Sequence, residues 1–344
     1  MRKTRLILAA VAAVATGTLL TACSGAPSGS AAAQGAGSGS TGPAAGKTVA
    51  YFAPSLGISY WQWVGYGVKQ QAHQLHMKYV SYNANNDQSQ QLANMRTAIT
   101  AGVNAIVIGP VSSTSVPPLL QLAQQNHIPV AFAGIGAPAG VKNFTSAVTA
   151  NNQATGVAEG KFICRAAKRL GGNQVGMLSL PQDRENAQKY LAGAKQAFAA
   201  DGCDLVQVVQ TKGLTVGEAV SETKDLLTAH PGIKGIYGMY DEAGTGASQV
   251  LASQGLTGKV ALATADGSPT TVALVRKHKL DALFLQGAVG QGIVATDQVA
   301  KAIQGKPTTQ AIPLDEPMVT PANIDNPKIQ AQLKRVYPPS AGAY

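Results

Sequence analysis

At 344 residues the chain is long enough for two core-bearing domains of ordinary size, and its 45% hydrophobic content excludes wholesale disorder. Charged residues make up only 13%, about half the usual share of ~25%, and 38 glycines point to many tight turns. Of the net charge of +10, three charges (Arg2, Lys3 and Arg5) sit in the first five residues. The rest are spread along the chain, a weak bias toward anionic surfaces and not the footprint of a nucleic-acid binder.

The first element is a leader. Met1–Arg5 is basic, Leu6–Leu20 is an apolar run, and Leu20-Thr21-Ala22-Cys23 closes it. A basic start, a short apolar stretch and small residues at the cut describe a secretory signal, and the run falls short of the ~20 apolar residues of a spanning helix. Leu-x-Ala-Cys resembles the bacterial lipobox, in which the cysteine becomes residue one and carries acyl chains. Residues 1–22 are therefore expected to be a lipoprotein signal peptide and Cys23 the membrane anchor, with a plain signal peptide as the alternative. Ser24–Gly46 contains only Ser, Gly, Ala, Thr, Gln and Pro. It cannot bury a core, so 23–46 reads as the lipidated residue and a flexible tether. Gly42-Pro43-Ala44-Ala45-Gly46-Lys47-Thr48 is similar to a phosphate-binding loop, but Thr41 stands where its first glycine is required and a strand follows instead of a helix.

From Lys47 on, strand and helix alternate. The predicted strands are 48–53, 78–82, 105–108, 129–133, 174–179, 204–210, 235–239, 259–264 and 282–285. The predicted helices are 61–75, 88–101 (Asp87 as N-cap, Gly102 as stop), 116–125 (Pro117 and Pro118 in its first turn), 152–170, 185–200, 216–229, 242–253, 270–277 and 291–304. Short apolar strands between amphipathic helices imply parallel sheets covered on both faces. The number of elements suits two doubly wound α/β lobes, with a single eight-fold barrel as the alternative. Ligands of such sheets bind at the carboxyl ends of strands, which points to Pro54–Trp61, Gly109–Ser113, Gly134–Gly136, Pro181–Arg184, Tyr240–Glu242, Ala265–Ser268 and Gln286–Gly287.

These segments resemble the type I periplasmic binding proteins, the ribose-binding branch in particular. TVAYFAPSLGISYW, NAIVIGPVSS, HIPVAFAG, LLTAHPGIKGIYGMYDEAGTGA, ATADGSP and KLDALFLQ carry the resemblance, in order, over Lys47 to Val319. It implies a trap of two lobes: 47–148 plus 288–312, and 152–285 plus 318–344, with hinges near 149–151, 286–287 and 313–317. It further implies a ligand-binding set of Tyr60, Trp61, Gly134, Tyr190, Tyr240, Asp266 and Gln286. Tyr60 and Trp61 stand where the family sandwiches a sugar ring between aromatics. Asp266 and Gln286 stand where it accepts hydroxyl hydrogen bonds. The family's first-lobe Asp-Arg clamp is Gly134-Ile135 here. Its loop asparagines are Ile58 and Gly109, its second-lobe arginine falls near Tyr190, and Tyr240 replaces another asparagine. The pocket is therefore expected to be more aromatic and less charged than a ribose site. Arg184 reads as a surface residue, with replacement of the missing arginine as the alternative.

The implied function is capture of a small neutral polar solute (a sugar, deoxy sugar, polyol or similar) outside the cytoplasmic membrane, and its delivery to an ABC permease with a separate ATPase. The same trap serving a membrane sensor, or a non-sugar solute, is the alternative. No catalytic constellation, cofactor motif or metal set emerges: His73 and His76 share a helix face but lack further ligands. No DNA-reading headpiece precedes the body, so no nucleic-acid partner is expected, and the chain is expected to be a monomer. Cys164 and Cys203 remain after Cys23. Export permits a bridge between them, with two buried free thiols as the alternative. Trp63 reads as packing, and Asp241-Glu242 as a helix cap.

Overall fold

The computed structural model describes residues 44–314 and 317–339. The expectations for the signal peptide, Cys23 and nearly all of the tether fall outside the described residues.

Six strands form the first sheet: β1 (Thr48–Ala53), β2 (Lys78–Asn83), β3 (Ala105–Ile108), β4 (Val130–Ala133), β5 (Ser146–Ala150) and the late β11 (Ala311–Leu314), in the order β11-β5-β4-β3-β1-β2. All its pairings are parallel. The second sheet repeats the pattern with β6 (Gln174–Ser179), β7 (Asp204–Gln210), β8 (Gly235–Gly238), β9 (Ala261–Asp266), β10 (Ala282–Leu285) and β12 (Met318–Val319), ordered β12-β10-β9-β8-β6-β7. Only β12 runs antiparallel there, against β10. Two open sheets exclude the eight-fold barrel. The central strands are buried along their whole length, which fits runs such as AIVI in β3 and ALFL in β10.

Helices α1 (Ser59–Gln74), α2 (Gln88–Thr100), α3 (Val116–Gln125) and α9 (Ala288–Ile303) cover the first sheet. Helices α4 (Asn152–Arg169), α5 (Glu185–Asp201), α6 (Val216–Ala229), α7 (Asp241–Ser253), α8 (Pro269–Arg276) and α10 (Pro327–Val336) belong to the second lobe. Local chemistry sets many of their starts. Asp87 accepts from the Gln90 amide, and Thr215 and Ser268 each close a capping box. Strands β5, β11 and β12 and helix α10 are elements beyond those predicted from the sequence.

The chain passes between the lobes where β5 gives way to α4, where β10 gives way to α9, and between β11 and β12. Each lobe sets its cleft-facing helix by the same device. A Cβ at Gly67 of α1 would lie 2.1 Å from the Val289 carbonyl oxygen of α9, and one at Gly292 would lie 2.2 Å from that of Val64. In the second lobe, Gly156 of α4 and Gly193 of α5 stand in the same relation, at 2.3 Å from Tyr190 O and 2.2 Å from Gln153 O. Backbone rests on backbone, so the N-terminal ends of α1 and α5, which reach the cleft, are held rigidly. Cys164 in α4 and Cys203, just before β7, are joined by a disulfide. No helix among the described residues is long and apolar enough to cross a membrane.

Candidate functional site

The site lies where strands of both sheets end, and lobe one offers it an aromatic wall. Tyr60 and Trp61 occupy the first turn of α1 and are both buried. The Tyr51 hydroxyl donates to the Trp61 carbonyl at 2.8 Å, and the Tyr60 hydroxyl donates to Gln291 Oε1 on α9. Their rings meet edge to face, centroids 4.9 Å apart at 85°. At that spacing the two rings do not hold a sugar ring between their own faces, which needs roughly 7 Å, twice a carbon contact distance. The two rings instead form one continuous surface. Glycines make room behind it. A Cβ at Gly109 would meet Trp61 Cζ3 at 2.3 Å, and one at Gly134 (φ +79°) would meet the Tyr60 hydroxyl oxygen at 2.7 Å. Gly134 is thus a backing residue for the aromatic wall, and the wall fills space that a side chain at either glycine would need.

Lobe two and the hinge supply the polar groups. Asp266 closes β9 with φ +75°, followed by Gly267 at +86°. Its carbonyl accepts from the Gln286 amide at 2.8 Å. Gln286 Nε2 donates to the Tyr190 hydroxyl at 2.8 Å. Tyr190 itself is fully buried in α5 and does not line the closed cavity; it stands behind Gln286. Tyr240 precedes α7 and does line the cavity. Burial raises its hydroxyl pKa well above the usual tyrosine range, with neighbouring Thr211 acting the other way.

Arg184 corrects the surface reading. It is 3% exposed and lines the cavity. Its Nε donates to the Val111 carbonyl at 3.1 Å and its Nη2 to Asn86 Oδ1 at 3.2 Å, both on lobe one. Burial lowers its pKa to about 10, with Asp183 opposing, so it stays charged at neutral pH. Arg184 and Asp266 are the charged side chains that line the cavity, beside the aromatic Tyr60, Trp61 and Tyr240. Asn186, the second residue of α5, also lines the cavity, and its Oδ1 is buried with no hydrogen-bond partner among the described residues. Ile58, Leu180 and Leu214 add apolar walls. The strand-end rule pointed to the stretch that leads into Arg184 and Asn186. Leu214 follows an edge strand and carried no signal.

The lobes are closed on each other. Glu242 Oε1 accepts from the Ser59 amide at 3.2 Å and the Ser59 hydroxyl at 3.1 Å, and the Ser113 amide donates to the Asp183 carbonyl at 3.0 Å. The cavity left between them is about 20 Å³, room for about one water, so a sugar-sized solute enters only when the lobes part or these side chains move. Asp241 and Glu242 are not the cap expected of them: Tyr240 is the N-cap of α7, and the two acids follow it in the first turn. Asp241 is fully buried, accepts from the Thr271 hydroxyl, and has its pKa pushed up to about 7, first by burial and then by neighbouring Glu242. Burial raises the Glu242 pKa too, against its bonds to Ser59.

Two parallel-sheet lobes, joined by three crossings and closing polar groups between them, have the build of a clamshell binding protein. The chain belongs to the periplasmic binding protein domain family, whose model matches residues 49–307. It is 29% identical over 258 residues to the ribose import binding protein of Haemophilus influenzae, covering 72% of this chain and 83% of that protein. It is 26% identical over 248 residues to a xylitol-binding protein of Mycolicibacterium smegmatis, covering 71% and 68%. Among solved structures, a solute-binding protein of Agrobacterium radiobacter in complex with D-arabinose superposes with a TM-score of 0.78 at 21% identity, over 84% of this chain and 99% of that one. Another, from Bacillus halodurans with bound myo-inositol, gives 0.76 at 21%, over 84% and 99%.

Proposed function

We propose that the chain is an exported, lipid-anchored binding protein that captures a small neutral polyhydroxylated solute, a sugar or polyol, and presents it by lobe closure to an ABC importer whose permease and ATPase are separate chains. It acts by binding, with no covalent step. The observation that carries this reading is the division of the cavity. Ile58, Tyr60 and Trp61 on lobe one offer hydrophobic surface, and the Tyr60 hydroxyl is already engaged. Arg184, Asn186, Tyr240, Asp266 and Gln286 offer polar groups from the other side. A polyol or sugar has hydroxyls along its edge and C–H groups on its face, and this arrangement meets both. The carboxylate of Asp266 and the orphaned Asn186 Oδ1 accept hydrogen bonds from hydroxyls, while Arg184 and Gln286 donate. The relatives named for ribose and xylitol, and the solved neighbours holding D-arabinose and myo-inositol, support the same class.

The test is a titration of the purified chain with pentoses, hexoses, deoxy sugars and polyols by calorimetry. One class binds, and Asp266→Ala then weakens that binding by about 2–3 kcal/mol through the lost charge-assisted hydrogen bond. Unchanged affinity in Asp266→Ala removes this carboxylate from the site, and turnover of a bound solute overturns the binding-only reading.

A further inference from the structure

The C-terminal segment returns to the cleft. After β12 the chain forms α10, which buries Ile329 and Leu333, and Tyr337 follows at the helix end, 1% exposed. Its backbone amide donates to the Leu333 carbonyl at 2.8 Å, so its position is set by the helix. Two contacts hold its side chain. The hydroxyl donates to the Gly267 carbonyl, 70 residues away in sequence and next to Asp266. The ring meets Trp63 of lobe one edge to face, centroids 5.0 Å apart at 77°.

The first contact falls where the backbone needs support. Asp266 and Gly267 take left-handed conformations in succession, φ +75° and +86°. An aspartate there persists only if its surroundings hold it. The Gln286 amide holds the Asp266 carbonyl and the Gly267 amide bonds back to Ala265 at 3.1 Å. Tyr337 holds the remaining carbonyl of the turn. The second contact joins the lobes: Trp63 is one turn along α1 from Ser59, which Glu242 of lobe two already grips. Helix α1 therefore docks on lobe two at two points, and one of them is the residue that steadies the Asp266 turn.

We propose that Tyr337 is a positioning residue of the binding site: its hydroxyl fixes the Asp266–Gly267 turn, and its ring is the seat that receives Trp63 when the lobes close. Closure and the placement of the site carboxylate are thereby coupled through the C-terminal segment. The coupling works whatever solute the cleft takes, so it stands or falls separately from the proposed ligand class.

Three variants of the full chain separate the two contacts. Tyr337→Phe keeps the ring and loses the hydroxyl; Tyr337→Leu loses both; Trp63→Leu loses the ring contact from the other side. Hydrogen exchange across residues 264–270 reads the turn. Acrylamide quenching in a Trp61→Phe background, where Trp63 is the remaining tryptophan of the two in the chain, reads the seat. Tyr337→Phe raises exchange in the turn about tenfold while Trp63 stays shielded. Tyr337→Leu raises exchange and also exposes Trp63, with quenching up roughly two- to tenfold, as loss of an edge-to-face pair allows. A merely structural role would lower the melting temperature of both variants without separating these signals. Unchanged exchange in Tyr337→Phe, or unchanged quenching in Tyr337→Leu, overturns the proposal. Should Tyr337→Leu fail to fold, Trp63→Leu decides it: a larger radius of gyration in small-angle scattering supports the seat, and an unchanged one refutes it.

Discussion

Substituting alanine at Gly109 tests the aromatic wall without touching any polar group of the cleft. The new Cβ would stand 2.3 Å from Trp61 Cζ3, 2.6 Å from Cη2 and 3.1 Å from Pro54 Cδ. Carbon atoms meet comfortably at ~3.5–4.0 Å, so the indole must retreat by about 1 Å or more. It has little room: Trp61 is 4% exposed, and its carbonyl is held by the Tyr51 hydroxyl. Gly109 does not need a left-handed backbone, so the cost is packing alone, about 1–3 kcal/mol. Gly134→Ala adds a backbone term of about 1–2 kcal/mol at φ +79° to its own contacts with Tyr60 and Trp61. The decisive assay is a double-mutant cycle by denaturant unfolding with Gly109→Ala, Trp61→Phe and both. Phenylalanine lacks the outer ring atoms that clash, so the double variant recovers about 1 kcal/mol or more relative to additivity. Strict additivity would show that the indole does not rest on Gly109, and the wall as described would be wrong.

Other consequences concern the frame around the cleft. The Cys164–Cys203 disulfide closes a sequence separation of 39, and its removal by Cys→Ser pairs should lower stability by about 4 kcal/mol in the chain-entropy model; equal thiol counts before and after reduction in denaturant would refute the bridge. Asp241 has a folded pKa of about 7 against an ordinary 3.8, so the folded state holds the proton longer. Stability is then greatest below about pH 4 as far as this group is concerned and falls as pH rises to about 7, by at most roughly 4 kcal/mol. Asp241→Asn keeps the acceptor for Thr271, flattens that slope and melts higher than the parent at pH 8; an identical pH profile would count against the buried acid. Glu242→Ala should loosen the closed state by about 1–3 kcal/mol through its two lost bonds to Ser59, while Glu242→Gln, which can still accept, loses less. Scattering that shows no difference between the two would disprove the latch.

Period and punctuation carried most of the fold. Strands 48–53, 105–108, 174–179, 204–210 and 282–285 and helices 116–125 and 216–229 coincide residue for residue with the structure, because each pairs a strong apolar run or stripe with a nearby Gly, Pro or capping residue. The strand from Ser146 is made of small residues and reads as loop, and β11 is an edge strand carrying Pro313, which on its own argues against a strand. Helix α10 carried its own signal, Asn326 as cap, Pro327 at its first position and Ile329, Leu333 and Val336 on one face, and the sequence reading passed over it.

The site was legible as a set of loops more than as a set of side chains. Strand ends converge whatever their sequence, so the segments containing Trp61, Arg184, Tyr240, Asp266 and Gln286 could be marked in advance. Which atoms face inward depends on contacts between residues far apart. Nothing local distinguishes Arg184 from a solvated arginine; its carbonyl and amide partners, Val111 and Asn86, come from the other lobe. Gly109 and Gly134 read as losses of polar groups when taken alone. Beside Trp61 they are its complement, since a side chain at either position would occupy space that the ring now fills.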